Sequence, residues 1–455
     1  MNDVVIVGGG IAGLSAAWEL ARRGRRPVVL EQGPRPGGVI VTEHRDGFVL
    51  DGGPDALLVQ KPAAIELCRE LGLGDRLFPT LTPRTAYVLR HGRLVPLPEA
   101  SVLGIPTRLR PFITTRLFSW PGKLRMACEV VVPRRQSHEQ DESIGSFMRR
   151  RFGREAVTYL AEPLLAGIHA GDVDRLSMRA LFPRLLDAER TTGSVLRALS
   201  AMRSAPAPDG AFMSLPGGIG ELVSALVAAL PPDTVQCGQG VARVEGRRPY
   251  TLHLTDGGTR DARAVIVATP AWAAAPLLEA LDAGLASLCA EVRYVSSATI
   301  LFALRRDQVR HPLAGSGYVV PRPERRLLMA ASWVTSKWPR RAPDGHVLLR
   351  AFVGGAYDPE VLTHTDQTLT RGAFAELAET LDITGEPSFT RVFRWPRASA
   401  QHEVGHHARL TQLDARLARH PGLFVTGSGF RGTGIPDCVA DGRAVGRQAA
   451  AWLDR

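Results

Sequence analysis

The sequence predicts an α/β fold, and three runs of residues near its start carry the prediction. Val4-Val5-Ile6-Val7 is β-branched throughout and reads as a strand buried on both faces. Gly8-Gly9-Gly10-Ile11-Ala12-Gly13 follows, and the apolar periodicity from Leu14 to Arg23 reads as a helix that stops at Gly24. Pro27-Val28-Val29-Leu30 is a second strand ending at Glu31, which completes a compact β-α-β unit.

Further along, the segment from about 100 to 205 is helical in pattern and rich in arginine. It closes at Ser204-Ala205-Pro206-Ala207-Pro208-Asp209-Gly210, a linker-like stretch. Strand-like runs resume at Val241–Val244, Tyr250–Leu254, Ala264–Ala268, Ala298–Leu304, Gly317–Val320, Leu327–Ala331 and Val347–Val353. Leu423-Phe424-Val425-Thr426 is a final strand that enters a second glycine-rich turn, and Val439–Leu453 follows it. No internal repeat or low-complexity tract interrupts this order.

Composition narrows the class. With 455 residues, 45% of them hydrophobic and 22% charged, the chain has the length for two or three domains and the apolar content for a real core. The longest uncharged apolar run, Ala264 to Leu278, is broken by Pro270 and Pro276, short of the ~18 apolar residues a spanning helix needs. Met1-Asn2-Asp3 is not the basic start of a signal peptide. Five scattered cysteines without a C-x-x-C argue against a disulfide framework or structural zinc and fit a reducing cytoplasm.

The net charge of +11 is carried almost wholly by arginine, since only Lys61, Lys123 and Lys337 are lysines among 56 basic residues. Between Ile105 and Glu155 there are 11 basic against 5 acidic residues, with Phe112, Phe118 and Trp120 interleaved among Arg108, Arg110 and Arg116. Apolar anchors among cations suit a peripheral membrane surface, and a solvated basic face is the plainer alternative. No recognition motif accompanies the charge, so nucleic-acid binding is not predicted.

Gly8-x-Gly10-x-x-Gly13 between strand and helix is what a dinucleotide pyrophosphate requires. The first glycine permits the tight turn, the second lets backbone approach phosphate, and the third lets helix and strand pack closely. The helix N-terminus then offers unpaired N–H groups and partial positive charge. Glu31, 18 residues beyond Gly13, is placed to accept from a ribose diol and disfavours a 2′-phosphate. Two features favour FAD over NAD. Pro36-Gly37-Gly38 and Asp51-Gly52-Gly53-Pro54 bring backbone close a second time, which suits a longer cofactor. The C-terminal run Gly427-Ser428-Gly429-Phe430-Arg431-Gly432-Thr433-Gly434 sets another helix start where a reduced isoalloxazine would carry negative charge.

Taken with Glu162–Asp172, Leu176-Ser177-Met178-Arg179, Val265–Pro270, Phe393-Arg394-Trp395-Pro396 and Gly434-Ile435-Pro436-Asp437-Cys438, these residues resemble one family over essentially the whole chain. It is the FAD-dependent protoporphyrinogen/coproporphyrinogen oxidases, within the amine-oxidase-like flavoprotein superfamily. Val39 stands where the superfamily often has a basic residue, and Ala400-Gln401-His402 replaces the family's usual Pro-Gln-Tyr.

The resemblance implies a discontinuous Rossmann-like FAD-binding domain of the GR2 type from 1–75, 211–270 and 390–455. It implies a mixed-sheet substrate-binding domain from 76–100 and 271–389, and a helical, membrane-associating domain from 101–210. Cofactor contacts are expected from Gly8, Gly9, Gly10, Ile11, Ala12, Gly13, Glu31, Gln32, Gly38, Gly53, Pro54, Asp55, Val241, Trp395, Gly427, Gly434, Ile435 and Pro436.

The implied activity belongs to haem biosynthesis: three successive two-electron dehydrogenations of a porphyrinogen, with dioxygen reoxidising the flavin and hydrogen peroxide as product. Aromatisation drives the reaction, so neither a nucleophile nor a metal is expected, and no catalytic base is identifiable. Gly167 is the candidate for backbone facing the reacting bridge, against a reading as a helix-breaking turn. Substrate propionates call for cations, with Arg84 the first candidate and Lys61 a weaker one, against the reading that Arg84 is an ordinary surface residue. His169 lies near the pocket by motif, although a lone histidine is more often structural.

Protoporphyrinogen IX and coproporphyrinogen III both remain open, with a slight lean to the former. Monomer and homodimer also remain open. The expected location is cytoplasmic, peripheral at the membrane.

Three rivals stand beside this reading. His402-Glu403-Val404-Gly405-His406 matches the zinc-protease helix H-E-x-x-H, but Gly405 falls inside the required helix and no third ligand is evident. A flavin amine oxidase or carotenoid desaturase could share the fold, and a non-catalytic flavin-binding scaffold would bind FAD without forming peroxide.

Overall fold

Two seven-stranded sheets carry the architecture. The computed structural model describes residues 2–98, 101–102, 105–106, 109–135, 140–201 and 210–455. Arg108 and most of the linker-like stretch before Gly210 lie outside the described residues. In chain order the elements used below begin with β1 (Asn2–Val7), α1 (Ile11–Ala21), β2 (Pro27–Glu31), β3 (Ala86–Arg90) and β4 (Arg93–Pro96). They continue with α2 (Trp120–Ala127), α3 (Ile144–Phe152), α4 (Glu162–His169), α5 (Val195–Ala201), β5 (Val235–Cys237), β6 (Val241–Gly246), β7 (Tyr250–Leu254) and β8 (Thr259–Val267). The last are β9 (Tyr294–Arg305), β10 (Gly317–Val319), β11 (Leu328–Trp333), β12 (His346–Gly354), β13 (Phe389–Ala400), α6 (His406–Leu417), β14 (Leu423–Val425) and α7 (Ile435–Leu453).

The first sheet runs β5-β2-β1-β8-β7-β6, with β14 added beside the C-terminal half of β8. β1 lies between two parallel partners, so both its faces need cover, which is why Val4–Val7 is continuously apolar. Val4 and Ile6 pack with Leu14 of α1 and Val439 of α7 on one face. Val5 and Val7 pack on the other with Leu277, Leu285 and Leu413. The helix expected from Leu14 begins earlier, at Ile11, because glycines up to Gly10 supply its uncapped start.

α1 and α7 lie against each other along small residues. A Cβ on Gly442 would run into the Ala12 carbonyl oxygen, and one on Gly446 would sit 2.8 Å from the Ala16 carbonyl oxygen. Two helices separated by the whole chain therefore approach with backbone against backbone, and their N-termini end up side by side above the edge of β1, β8 and β14.

The second sheet has the order β13-β9-β12-β11-β10-β3-β4 and is antiparallel except for β10 against β3. β13, assigned by resemblance to the cofactor part, pairs with β9 from Phe389 to Ala400. The edge position suits it, since Pro396 has no N–H to give to a further strand.

Between the sheets in sequence comes the helical part. Its anchor is the buried pair Arg151–Glu129. Glu129 also accepts from the backbone N–H groups of Val195 (2.9 Å) and Leu196 (3.2 Å), so it caps α5 with a charge. No helix among the described residues is long and apolar enough to cross a membrane.

Overpacking the α1–α7 contact should be costly. Gly442→Val is expected to destabilise the protein by about 1–3 kcal/mol or more, read as a lower Tm, whereas Val at the exposed Gln448 of the same helix should leave Tm within about a degree or two.

Candidate functional site

The N-terminal cradle is made of backbone. Gly8 has φ +107°, and a Cβ there would sit 3.0 Å from the Ala268 carbonyl oxygen. A Cβ on Gly13 would collide with the Gly8 carbonyl, so helix and turn close only over glycine. Gly10, the N-cap of α1, provides no side-chain hydrogen bond, and the first-turn N–H groups are left for an anion. Glu31 accepts from Gly9 N–H (2.7 Å) through one oxygen and from Gly33 N–H (2.8 Å) through the other. Each oxygen keeps lone-pair capacity for a ribose hydroxyl. Gly37 N–H donates to the Gly9 carbonyl (2.8 Å), and Gly38, at φ +59°, lies against Gly10. The two glycine pairs are one surface.

The C-terminal cradle abuts it. Gly427, at φ +118°, faces the same Ala268 carbonyl that Gly8 faces. Thr426 Oγ1 donates to Asp441 (2.6 Å), tying the end of β14 to α7. Gly434 is the N-cap of α7, and Asp437 in its first turn accepts from Gly434 N–H at 3.3 Å. Lys61 Nζ lies 2.8 and 2.7 Å from the two Asp437 oxygens, so the weaker propionate candidate is already paired with this helix start.

A third wall is the Gly52–Asp55 segment. Arg350, from β12, donates to the carbonyls of Gly52 and Gly53, and Trp395 Nε1 donates to Gly52 (3.2 Å). Asp55 receives Lys337 Nζ at 2.8 Å and Trp338 Nε1 at 2.9 Å. Burial alone would raise the Asp55 carboxyl, but the charges of Lys337 and Arg350 outweigh it and hold the group well below the usual carboxylate range. Asp51, beside Arg341, is pushed up because burial dominates there. Arg341 and Arg350 both keep buried nitrogens without hydrogen-bond partners. The wall therefore carries an excess of positive charge, which fits a cofactor that becomes anionic on reduction.

The substrate-side candidates sit on the helical part and the second sheet. Gly167 lies inside α4, not at a turn, and is exposed. A Cβ there would come no nearer than 3.6 Å to Val319 and 3.8 Å to Ala330. His169 ends that helix, and its carbonyl accepts from Ser399 Oγ (2.9 Å) and Gln401 Nε2 (3.0 Å). Burial lowers its imidazole to about 4, with the Lys61 charge adding to the effect. Glu162, at the other end of α4, is raised to about 7 by burial, with Asp174 and Asp172 adding to the shift against Arg322. Arg84 is half-buried with Nε on the Thr80 carbonyl at 3.1 Å.

Of the expected cofactor contacts, Gly8–Gly13, Glu31, Gly38, Gly53–Asp55, Trp395, Gly427 and Gly434–Pro436 lie on these three walls. Gln32 and Val241 lie beyond Glu31, where Gln239 N–H donates to the Glu31 carbonyl at 2.9 Å. His402 precedes α6, whose N-cap is Gly405, so the two imidazoles of the H-E-x-x-H pattern do not project from one helix. Among the described residues no group of three metal-ligating side chains is assembled.

Two helix N-termini at one surface, an acid at the end of β2 and a cationic third wall suit an FAD-dependent oxidoreductase. The chain belongs to the flavin containing amine oxidoreductase family, whose model matches residues 11–450. It is 36% identical to a coproporphyrinogen III oxidase of Bacillus subtilis (strain 168), covering 99% of this chain and 98% of that protein. It is 29% identical to the chloroplastic protoporphyrinogen oxidase of Nicotiana tabacum, covering 100% of this chain and 86% of that one. A crystal structure from Exiguobacterium sp. 255-15, described as a candidate protoporphyrinogen oxidase, superposes with a TM-score of 0.89 at 31% identity over 100% of this chain and 99% of the other.

Arg350, Lys337 and Asp441 are absent from the sequence-based set. Arg350 is visible in hindsight as a lone charge in the apolar strand Val347–Val353. Lysine rarity is a second signal. In a chain that uses arginine nearly everywhere, Lys61 and Lys337 hold carboxylates near the site, and Lys123 gives Nζ to the Ile113 carbonyl at 2.6 Å.

Glu31→Gln replaces a charged acceptor of two backbone N–H groups by a neutral one, a difference of about 1 kcal/mol or more. FAD affinity of the deflavinated protein, read by quenching of flavin fluorescence, should fall about tenfold.

Proposed function

We propose that this protein is an oxygen-dependent FAD oxidase of haem biosynthesis that removes six electrons from coproporphyrinogen III to give coproporphyrin III. The observation that carries the choice of substrate is the 36% identity, over nearly the full length of both chains, to a protein named for that activity. The likenesses to protoporphyrinogen oxidases are lower, 29% for the Nicotiana tabacum enzyme and 31% for the Exiguobacterium structure, and this reading therefore departs from the slight sequence-based lean towards protoporphyrinogen.

The residues have limited and distinct tasks in this reading. Held by the Gly8–Gly13 turn, Glu31 and the start of α7, FAD would supply a two-electron acceptor for each of three dehydrogenations, the electron pair and the two protons lost by the substrate in each round ending on dioxygen as hydrogen peroxide. Gly167, exposed on α4 and without a side chain, lets the macrocycle lie close. Val319 and Ala330 give that approach an apolar wall and exclude water. Arg84 is the partner for a propionate. Arg350 and Lys337 hold the Gly52–Asp55 segment and favour negative charge in front of it.

The three-part division belongs to the same reading. It is supported by a first sheet drawn from 2–31, 235–267 and 423–425, and by a second drawn from 86–96 and 294–400.

We also place the protein in the cytoplasm, peripherally on an anionic membrane. The support is a surface on and after α2 where Trp120 is 70% exposed, Leu124 69% and Val131 74%. Lys123 sits 4.5 Å from the Trp120 ring, and Arg116 precedes the patch. Such a surface lies in the headgroup layer without spanning it.

Steady-state assays under air, following porphyrin fluorescence and peroxide, test the activity. Coproporphyrinogen III should be turned over with kcat/KM at least about tenfold above protoporphyrinogen IX. Oxidation of amines without porphyrinogen turnover would overturn the proposal. Arg84→Ala should raise KM about tenfold with little change in kcat, and an unchanged KM would remove Arg84 from the site. In flotation with anionic vesicles, Trp120→Ala with Leu124→Ser should abolish co-flotation of the wild-type protein. Wild-type protein that stays at the bottom of the gradient would exclude the membrane assignment.

A further inference from the structure

The imidazoles of His402 and His406 lie face to face, with ring centroids 3.9 Å apart and planes 13° from parallel. Each ring points Nε2 at a backbone carbonyl: His402 at Ser428 (2.9 Å) and His406 at Phe430 (2.6 Å). A carbonyl only accepts, so the hydrogen-bond pattern assigns the proton of both rings to Nε2 and leaves Nδ1 as a bare lone pair. Both residues are at most 3% exposed, and His406 Nδ1 is buried with no hydrogen-bond partner.

Ser428 and Phe430 belong to the turn that runs from β14 to Gly434, the N-cap of α7. That turn is also held by Thr426 and Gly427 on Asp441, by Arg431 on Asp414 and the Val425 carbonyl, and by the buried Phe430 ring among Val425, Ala271 and Leu413, so the two imidazoles add the titratable part of a packed anchor. We infer that the stacked pair His402–His406 is a latch: two positioning residues that hold the C-terminal turn in its flavin-binding form and let it go when acid protonates them. The inference rests on the reading that this turn borders the flavin.

The physical argument is about where a second proton would go. Protonating either ring puts an N–H on Nδ1, inside the protein and, at His406, where no acceptor stands. Burial therefore lowers His402 to about 4 and His406 to about 3. The titratable and charged groups that face the pair add to the effect. His169 comes from α4, while His407 and Arg409 come from α6 itself. The nearby carboxylates are engaged elsewhere. Glu403 pairs with Arg175 and Arg293, and Glu291 of the neighbouring loop pairs with Arg409. Asp141 accepts from Ser177 Oγ and Gly405 N–H. The Tyr294 hydroxyl, the titratable group on β9, is neutral and accepts from Ala271 N–H.

The sign follows. With the latch closed the rings are neutral, whereas released rings titrate near ~6.5. Closure is fully favoured above that pH and weakens as pH falls through it, by about tenfold per ring per pH unit, until the closed-state values are reached.

The test uses the holoprotein, equilibrated at pH 7.5 and pH 5.0, with FAD affinity read by flavin fluorescence and helix content by far-UV circular dichroism. Wild-type affinity should fall more than tenfold at pH 5.0 with the helix signal unchanged. In the double variant His402→Gln with His406→Gln, the amide nitrogens keep a donor near each carbonyl and do not titrate. Its affinity at pH 5.0 should stay within about threefold of its own value at pH 7.5. His402→Phe keeps a ring but no donor, and should bind FAD more weakly at both pH values. A wild-type affinity that is flat across this range, or a double variant with the wild-type pH profile, would overturn the latch and leave the flavin site standing. Wild-type protein that holds no FAD at pH 7.5 would overturn the site itself.

Discussion

The site depends on the contact between α1 and α7. One helix starts 11 residues into the chain and the other ends 2 residues before its close. They can lie backbone to backbone only because Gly442 and Gly446 put no side chain between α7 and the carbonyls of Ala12 and Ala16. Once they pack, both N-termini point into one region, and Gly8 and Gly427 meet over the same Ala268 carbonyl. A pair of aligned partial positive charges and two helix N-termini then lie at one surface, where a single dinucleotide would meet both. Every other wall of the site is arranged around that pair.

The surrounding electrostatics follow one rule, that charge near the cofactor is paired but leans positive. Asp55 is outnumbered by Lys337 and Arg350, and Asp437 is met by Lys61. The imidazoles of His169, His402 and His406 are kept neutral by burial. Such a site suits an acceptor that gains negative charge.

The parts of the molecule that were readable from sequence are those where neighbours in sequence are neighbours in space. The β1–α1–β2 unit is local, continuous in pattern and punctuated by glycine, so its turn, its acid and its ligand class could all be named. Strands such as Tyr250–Leu254 were readable because apolar and polar residues alternate there. Their pairing was not, since β3 joins β10 across more than two hundred residues and no local signal specifies that partner. Arg350 and the His402–His406 stack escaped for the same reason. Each is a side chain whose meaning comes from a carbonyl on a distant loop, Gly52 in one case and Phe430 in the other. Gly167 is a different case: of its two sequence readings the helix-breaking turn falls away, because packing of α4 on β10 and β11 keeps it helical.

The most direct measurement is electron density for FAD in crystals of the yellow protein. The pyrophosphate should lie within hydrogen-bond reach of backbone N–H groups of residues 9–11, with the isoalloxazine edge against residues 434–436. Density that places the isoalloxazine away from the start of α7, or shows the two glycine turns serving separate ligands, would contradict the account.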